Sequence, residues 1–200
     1  MVSNNEWSVE IDAQSGCRLP LPDRESLDAR GQAAMDRQLS PEHQSLVGLR
    51  GPTGIRLHSP VIAEHAQGLV NYFRHDSELD KQVQEIAILV TARAHDSEFE
   101  WAAHVEAARK TGVSEETISA IQNRTSTNGL SKRDALIVDT GRQLFAERRI
   151  NDGLYARALA HFGAKGLVEL ISFMAMYAGT AYLLAAFDMQ LPPGKIKAFD

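Results

Sequence analysis

The sequence holds a single cysteine, Cys17, among 200 residues, which excludes an internal disulfide and the disulfide-framework class of small secreted proteins. Concentrated positive charge is also lacking. Lys and Arg total 21 against 26 Asp and Glu, for a formal charge of −5. The basic residues are scattered, so no patch exists to neutralise a phosphate backbone, and a nucleic-acid partner is not expected. The seven histidines include no HExxH and no His-x-His spacing. His58, His65, His75, His95 and His161 stand apart, and no metal site is expected. No glycine pattern cradles phosphate: in "TGVSEE", Gly112 reads as a helix stop and Ser114 as the next N-cap. The N-terminal "MVSNNEWSVEID" has no basic start followed by an apolar run, so no secretory leader is expected and a cytoplasmic location is the default. Convincing period-two alternation is missing too, and strands are expected to be few or absent.

What is present is the balance of a globular chain able to bury a core, 44% hydrophobic and 24% charged, and it reads as one all-α domain over residues 1–200. Residues 1–58 form an arm and connector, and 59–187 the helical core. Prolines in "SGCRLPLPDRES" prevent a regular helix, after which "LDARGQAAMDRQL" reads as a first short one. Pro60 suits a helix start for "PVIAEHAQGLVNYFRH", where Val61, His65, Leu69, Val70 and Phe73 fall at helical spacing. Ser77 with Asp80 resembles a capping box for "ELDKQVQEIAILVTARA", and Ser97 with Glu100 opens the next helix in the same way. A helix from Ser114 to Ile121, one from about Ser131 to Glu147, and the pair "LYARALAHF" and "AKGLVELISFMAMYAGTAYLLAAF" follow. From Leu170 to Phe187 no side chain carries a formal charge, close to the roughly 20 apolar residues that cross a bilayer. Ser172, Gly179, Thr180 and two tyrosines interrupt that run, and no Lys/Arg cluster flanks it. It reads as the centre of a helical bundle or of a subunit interface, and no membrane span is expected.

Candidate chemistry lies in "SEFEWAAH". Positions three and four apart share a helical face, so Ser97, Glu100, Trp101 and His104 form one stripe. One reading makes Ser97 an N-cap, Glu100 its capping-box partner, and Glu100–His104 an exposed pair contributing about 0.3–0.5 kcal/mol. The other takes in Glu85. It heads "IAILV", a segment apolar all round and therefore buried, and a buried carboxylate needs a partner or a proton. The turn "AHDS" is short enough to fold the next helix back alongside, which makes His104 the natural partner.

The stretch "LDKQVQEIAILVTARAHDSEFEWAAHVEAARKTGVSEETISAI", residues 79–121, resembles the core motif of the carboxymuconolactone decarboxylase and alkylhydroperoxidase D superfamily. The likeness is weaker over 59–187 and slight in the first fifty residues. It implies a compact all-helical protomer of the alkylhydroperoxidase D-like type, assembled into trimers or hexamers with active sites near subunit contacts. In the peroxidase branch the motif is a glutamate, then Cys-x-x-Cys, then a histidine four residues after the second cysteine. Here the glutamate matches Glu85 and the histidine His104, while Ser97 and Glu100 hold the cysteine positions. A hydroxyl and a carboxylate can neither attack a peroxide nor resolve a sulfenic acid. Thiol peroxidase activity is therefore not expected, nor is a catalytic role for Cys17, alone in the arm.

The resemblance leaves the decarboxylase branch. Losing carbon dioxide from a lactone acid, or shifting a double bond within one, requires an acid or base at the carbon of the developing dienolate and a donor for the oxyanion, with no cofactor. His104 is the expected proton shuttle, Glu85 the carboxylate orienting it, and Glu100 a second acid or base. Ser97, Trp101 and Tyr177 are expected to contact substrate, although for Trp101 and Tyr177 plain core packing is the alternative. The expected function is a small cofactor-independent lyase or isomerase acting on an organic acid, a lactone or a related carbonyl compound. A non-catalytic helical oligomer or ligand-binding protein of the same fold is the alternative.

Overall fold

The computed structural model describes residues 10–40 and 46–199; the first part of the stretch read for a leader, residues 1–9, lies outside them. Among the described residues there are eight α-helices and no strand, so the chain is all-α. They are α1 (Ala29–Leu39), α2 (Pro52–Arg56), α3 (Pro60–His75), α4 (Lys81–Ala94), α5 (Glu98–Lys110), α6 (Glu115–Gln122), α7 (Lys132–Glu147) and α8 (Asp152–Ala186).

The centre is α4. Val83, Gln84 and every residue from Ile86 to Ala92 are buried, because α5, α7 and α8 all pack against this one helix. That explains why its sequence is apolar on every side. The chain's own helices cover it. The one buried amide, Gln84, is satisfied by Nε2 donating to the carbonyls of Phe73 (2.8 Å) and Leu79 (2.7 Å), which pins the α3–α4 turn.

Side-chain N-caps start most helices. Asp80, Ser114, Ser131 and Asn151 each accept the backbone N–H three residues on. The two capping boxes read from sequence are not formed. Ser77 turns its hydroxyl back to the Phe73 carbonyl at 3.0 Å, leaving Asp80 itself as the cap of α4. Ser97 occupies the N-cap position of α5 with no side-chain bond to the helix, since its intended partner, Glu100, is drawn inward.

Gly163 interrupts α8 at φ 68° and ψ 176°, a conformation open to glycine alone, and so divides the two apolar segments seen in the sequence. The second half packs inward through Leu170, Phe173, Met174, Ala181 and Leu184 and leaves Val168 and Tyr182 outside, 66% and 67% exposed. By length and composition alone α8 is apolar enough to cross a membrane. Glu169, buried in this helix, accepts from the Tyr72 hydroxyl and from the Glu78 backbone N–H, so its charge ties α8 to the α3–α4 turn. The arm runs beside the end of α8: Arg18 N donates to the Phe187 carbonyl and Gln190 N to the Gly16 carbonyl, both at 2.9 Å. Cys17 is fully buried there, in a cluster with Ile55, Phe99 and Leu184.

α7 crosses α4 at Gly141, where a Cβ would stand 2.4 Å from Val90 Cγ1 and 3.2 Å from Met174 Cε. Both neighbours are buried, so there is no room to yield. We expect Gly141→Ala to lose about 1–3 kcal/mol in urea denaturation, outweighing the roughly 1 kcal/mol gained in helix propensity. Equal or greater stability would show that α4 and α7 can separate at no cost.

Candidate functional site

Three successive residues at the start of α5 point about 100° apart, and each is claimed by a different part of the chain. The Glu98 carboxylate accepts the backbone N–H groups of Ala198 (2.7 Å) and Phe199 (2.8 Å), fastening the C-terminal segment. Phe99 enters the cluster beneath the arm. Glu100 is left to face a cavity of about 180 Å³ whose lining also includes Arg56, Arg74, Phe99, His104 and Tyr177. α1, α2 and the connector close this cavity on one side, and α3, α5 and α8 on the others.

His104, one turn after Glu100, also lines the cavity. Its Nδ1 meets Glu85 Oε2 at 3.1 Å, with both side chains largely covered. Glu85 stands behind the imidazole and is not itself part of the lining. A carboxylate acceptor holds the proton on Nδ1 and leaves Nε2 with the free lone pair. The Tyr177 ring stands nearly perpendicular to the imidazole at 5.4 Å, and burial, with the charges of Glu85 and Glu100, pushes its phenol pKa up.

Glu100 is 3% exposed, and neither of its oxygens has a hydrogen-bond partner among the described residues. Burial raises its pKa to about 8. The Ser97 hydroxyl, close but short of hydrogen-bond geometry, and the charge of Arg56 both oppose the rise without cancelling it. At neutral pH, Glu100 is therefore an uncharged acid. The half-buried Arg56 donates Nη2 to Thr180 Oγ1 at 2.8 Å; burial lowers its pKa, against the charges of Glu100 and Tyr177.

The structure thus brings Glu85, Glu100, His104 and Tyr177 to one place. It does not bring Ser97 or Trp101 there. Ser97 stays at the head of α5 outside the lining, and Trp101 is 3% exposed in the core, its ring against Phe199 at 5.1 Å. The burial read from sequence is also reversed: Glu85 is half-buried, and Glu100 is the enclosed carboxylate. Arg56, Arg74 and Thr180 had no sequence signal, apart from an arginine set between apolar residues in "GIRL". Among the described residues no three His, Cys, Asp or Glu side chains come together to hold a metal ion.

Residues 61–138, from α3 to the first half of α7, match the model of the carboxymuconolactone decarboxylase family. Over that segment the chain is similar to this family. No curated protein matches the chain. Glu85, Glu100 and His104 lie inside the carboxymuconolactone decarboxylase segment, whereas Arg56, Tyr177 and Thr180 lie outside it.

The sign of the pH dependence follows from Glu100. An unfolded carboxyl near 4.5 has lost its proton over the range in which the native group, at about 8, retains it. Native stability should therefore fall as pH rises through that window, by up to about 1.4 kcal/mol per pH unit, and level off above it. Glu100→Gln removes the dependence. In urea denaturation its stability relative to the parent should climb from about pH 5 to about pH 8; parallel curves would contradict a buried neutral acid.

Proposed function

We propose that the chain is a small cofactor-independent lyase or isomerase resembling carboxymuconolactone decarboxylase, acting by general acid–base catalysis on an organic acid, a lactone or a related carbonyl compound. One observation carries this: a neutral acid, Glu100, and an imidazole, His104, backed by the Glu85 carboxylate, face the same cavity. A proton donor and a ring nitrogen with a free lone pair can serve there as acid and base.

In the proposed reaction, His104 Nε2 takes a proton from the carbon next to a carbonyl, or returns one to the dienolate after carbon dioxide leaves with its bond electrons on the substrate. Glu100 donates to the developing oxyanion. Glu85 stabilises the imidazolium, and Tyr177 forms a wall. Thiol peroxidase activity is no part of this proposal: Cys17 is fully buried, with its Sγ directed to the Leu19 carbonyl. The enzyme is proposed to work in the cytoplasm as a homo-oligomer, a trimer or hexamer. Exposed Val61, Ile62 and Leu69 on α3, with Val168 and Tyr182 on α8, support such an assembly.

With a panel of small unsaturated acids and lactones in deuterated water, NMR should show carbon-bound proton exchange, bond migration or decarboxylation. His104→Ala should slow it by about 10²–10⁴ while circular dichroism stays unchanged. A His104→Ala rate equal to the parent's would remove His104 from the chemistry, and no turnover in the parent would leave a ligand-binding protein. Light scattering at micromolar concentration should give a mass well above the 22.0 kDa of one chain; a monomer would refute the assembly.

A further inference from the structure

Arg56 is an unusual cation. Its guanidinium is half-buried, one nitrogen is engaged by Thr180, and no carboxylate among the described residues forms an ion pair with it. Removing a charge from water costs several kcal/mol unless a counter-charge replaces the lost solvation. Among the described residues the one carboxyl lining the cavity is Glu100, which is uncharged at neutral pH and has both oxygens unpartnered. Arg37 and Arg74, both exposed, line the same cavity and also lack an ion pair among the described residues. Among the described residues the lining is therefore cationic, with no ionised carboxylate in it.

We infer that Arg56 is the anion-recognition residue of this cavity, and that the ligand it selects is a small monocarboxylate seated on the guanidinium beside Glu100. The inference rests on the cavity being the substrate site and narrows its substrate class. A carboxylate can accept from the N–H groups that Thr180 leaves free, restoring the missing counter-charge. The Glu100 hydroxyl can donate to the same ligand, which gives that buried acid its partner. A neutral lactone or ketone would do neither for Arg56. At about 180 Å³ the cavity has room for a short unsaturated acid. Arg37, Arg56 and Thr180 all lie outside residues 61–138, so ligand choice is set by segments that flank the family core.

Calorimetric titration of the full chain with crotonate and its neutral isostere crotonamide tests this without turnover. The parent should bind crotonate more tightly than crotonamide. Arg56→Gln should weaken crotonate by about tenfold to a hundredfold and leave crotonamide unchanged. Arg56→Lys, which keeps the charge but not the fork, should fall between, and it serves if Arg56→Gln does not fold. Thr180→Val removes the protein's own bond to Arg56 and should hold crotonate within about threefold. Above pH about 8, ionised Glu100 competes for Arg56 and crotonate should weaken; in Glu100→Gln it should not. The other groups lining the cavity are Arg37 on α1, Arg74 on α3, His104 on α5 and Tyr177 on α8. Crotonate bound equally by Arg56→Gln, no preference over crotonamide, no crotonate binding, or an equal loss in Thr180→Val would each overturn the anion site. Crotonate binding that survives in a turnover-dead His104→Ala keeps it. Turnover in a parent that does not bind crotonate sinks it and spares the acid–base chemistry.

Discussion

Glu100 is carried into the interior by a helix whose first turn is held on both sides. Glu98 is tied to the C-terminal segment and Phe99 to the cluster beneath the arm, so the helical step leaves Glu100 no route to solvent. With no hydrogen bond to either oxygen among the described residues, it is on the order of 5 kcal/mol harder to ionise than a free carboxyl, given a pKa near 8 in place of 4.5. That is comparable with the whole stability of an ordinary domain, about 5–15 kcal/mol. The proton therefore stays, and the cavity's chemistry depends on it.

The same constraint sets the roles of its neighbours. An ionised Glu100 would be the counter-charge of Arg56 and would occupy it. Because Glu100 is neutral, Arg56 has no ionised carboxylate beside it among the described residues and is held by Thr180, so the cavity offers an acid and a cation together. His104 escapes this competition, since its carboxylate, Glu85, approaches from behind through Nδ1 and leaves the other ring nitrogen available. The two glutamates thus differ in surroundings: Glu85 meets an imidazole, and Glu100 has only burial.

The packing that creates the cavity comes from two sources. α4 aligns α5, α7 and α8 around itself, which places Glu85 and His104 on facing helices. The arm, α1 and α2 then close the open side. Residues 61–138, the segment that the family model matches, hold Glu85, Glu100, His104 and Arg74, whereas Arg37, Arg56 and Thr180 come from flanking segments.

The all-α fold, the helices around Pro60, Ser114 and Ser131, and the break at Gly163 could all be read from local pattern, because caps, helical period and glycine act over a few residues. The Glu85–His104 contact was legible for a related reason: a short turn forces adjacent helices to lie side by side. The capping boxes failed because Ser77 turns back to the Phe73 carbonyl and Glu100 is carried inward by a helix start that distant segments hold at Glu98 and Phe99. Whether Trp101 faced a ligand or Phe199 depended on a segment nearly a hundred residues away, and both options suit the same helical stripe. Arg56 was silent in sequence because its meaning is the lack of a counter-charge within a closed cavity. By itself the sequence determined which residues lie in helices and which two helices bring Glu85 to His104, since those interactions are local. Which carboxyl loses water, and which arginine is left without a partner, only the tertiary structure decided, because solvation depends on everything that surrounds a group.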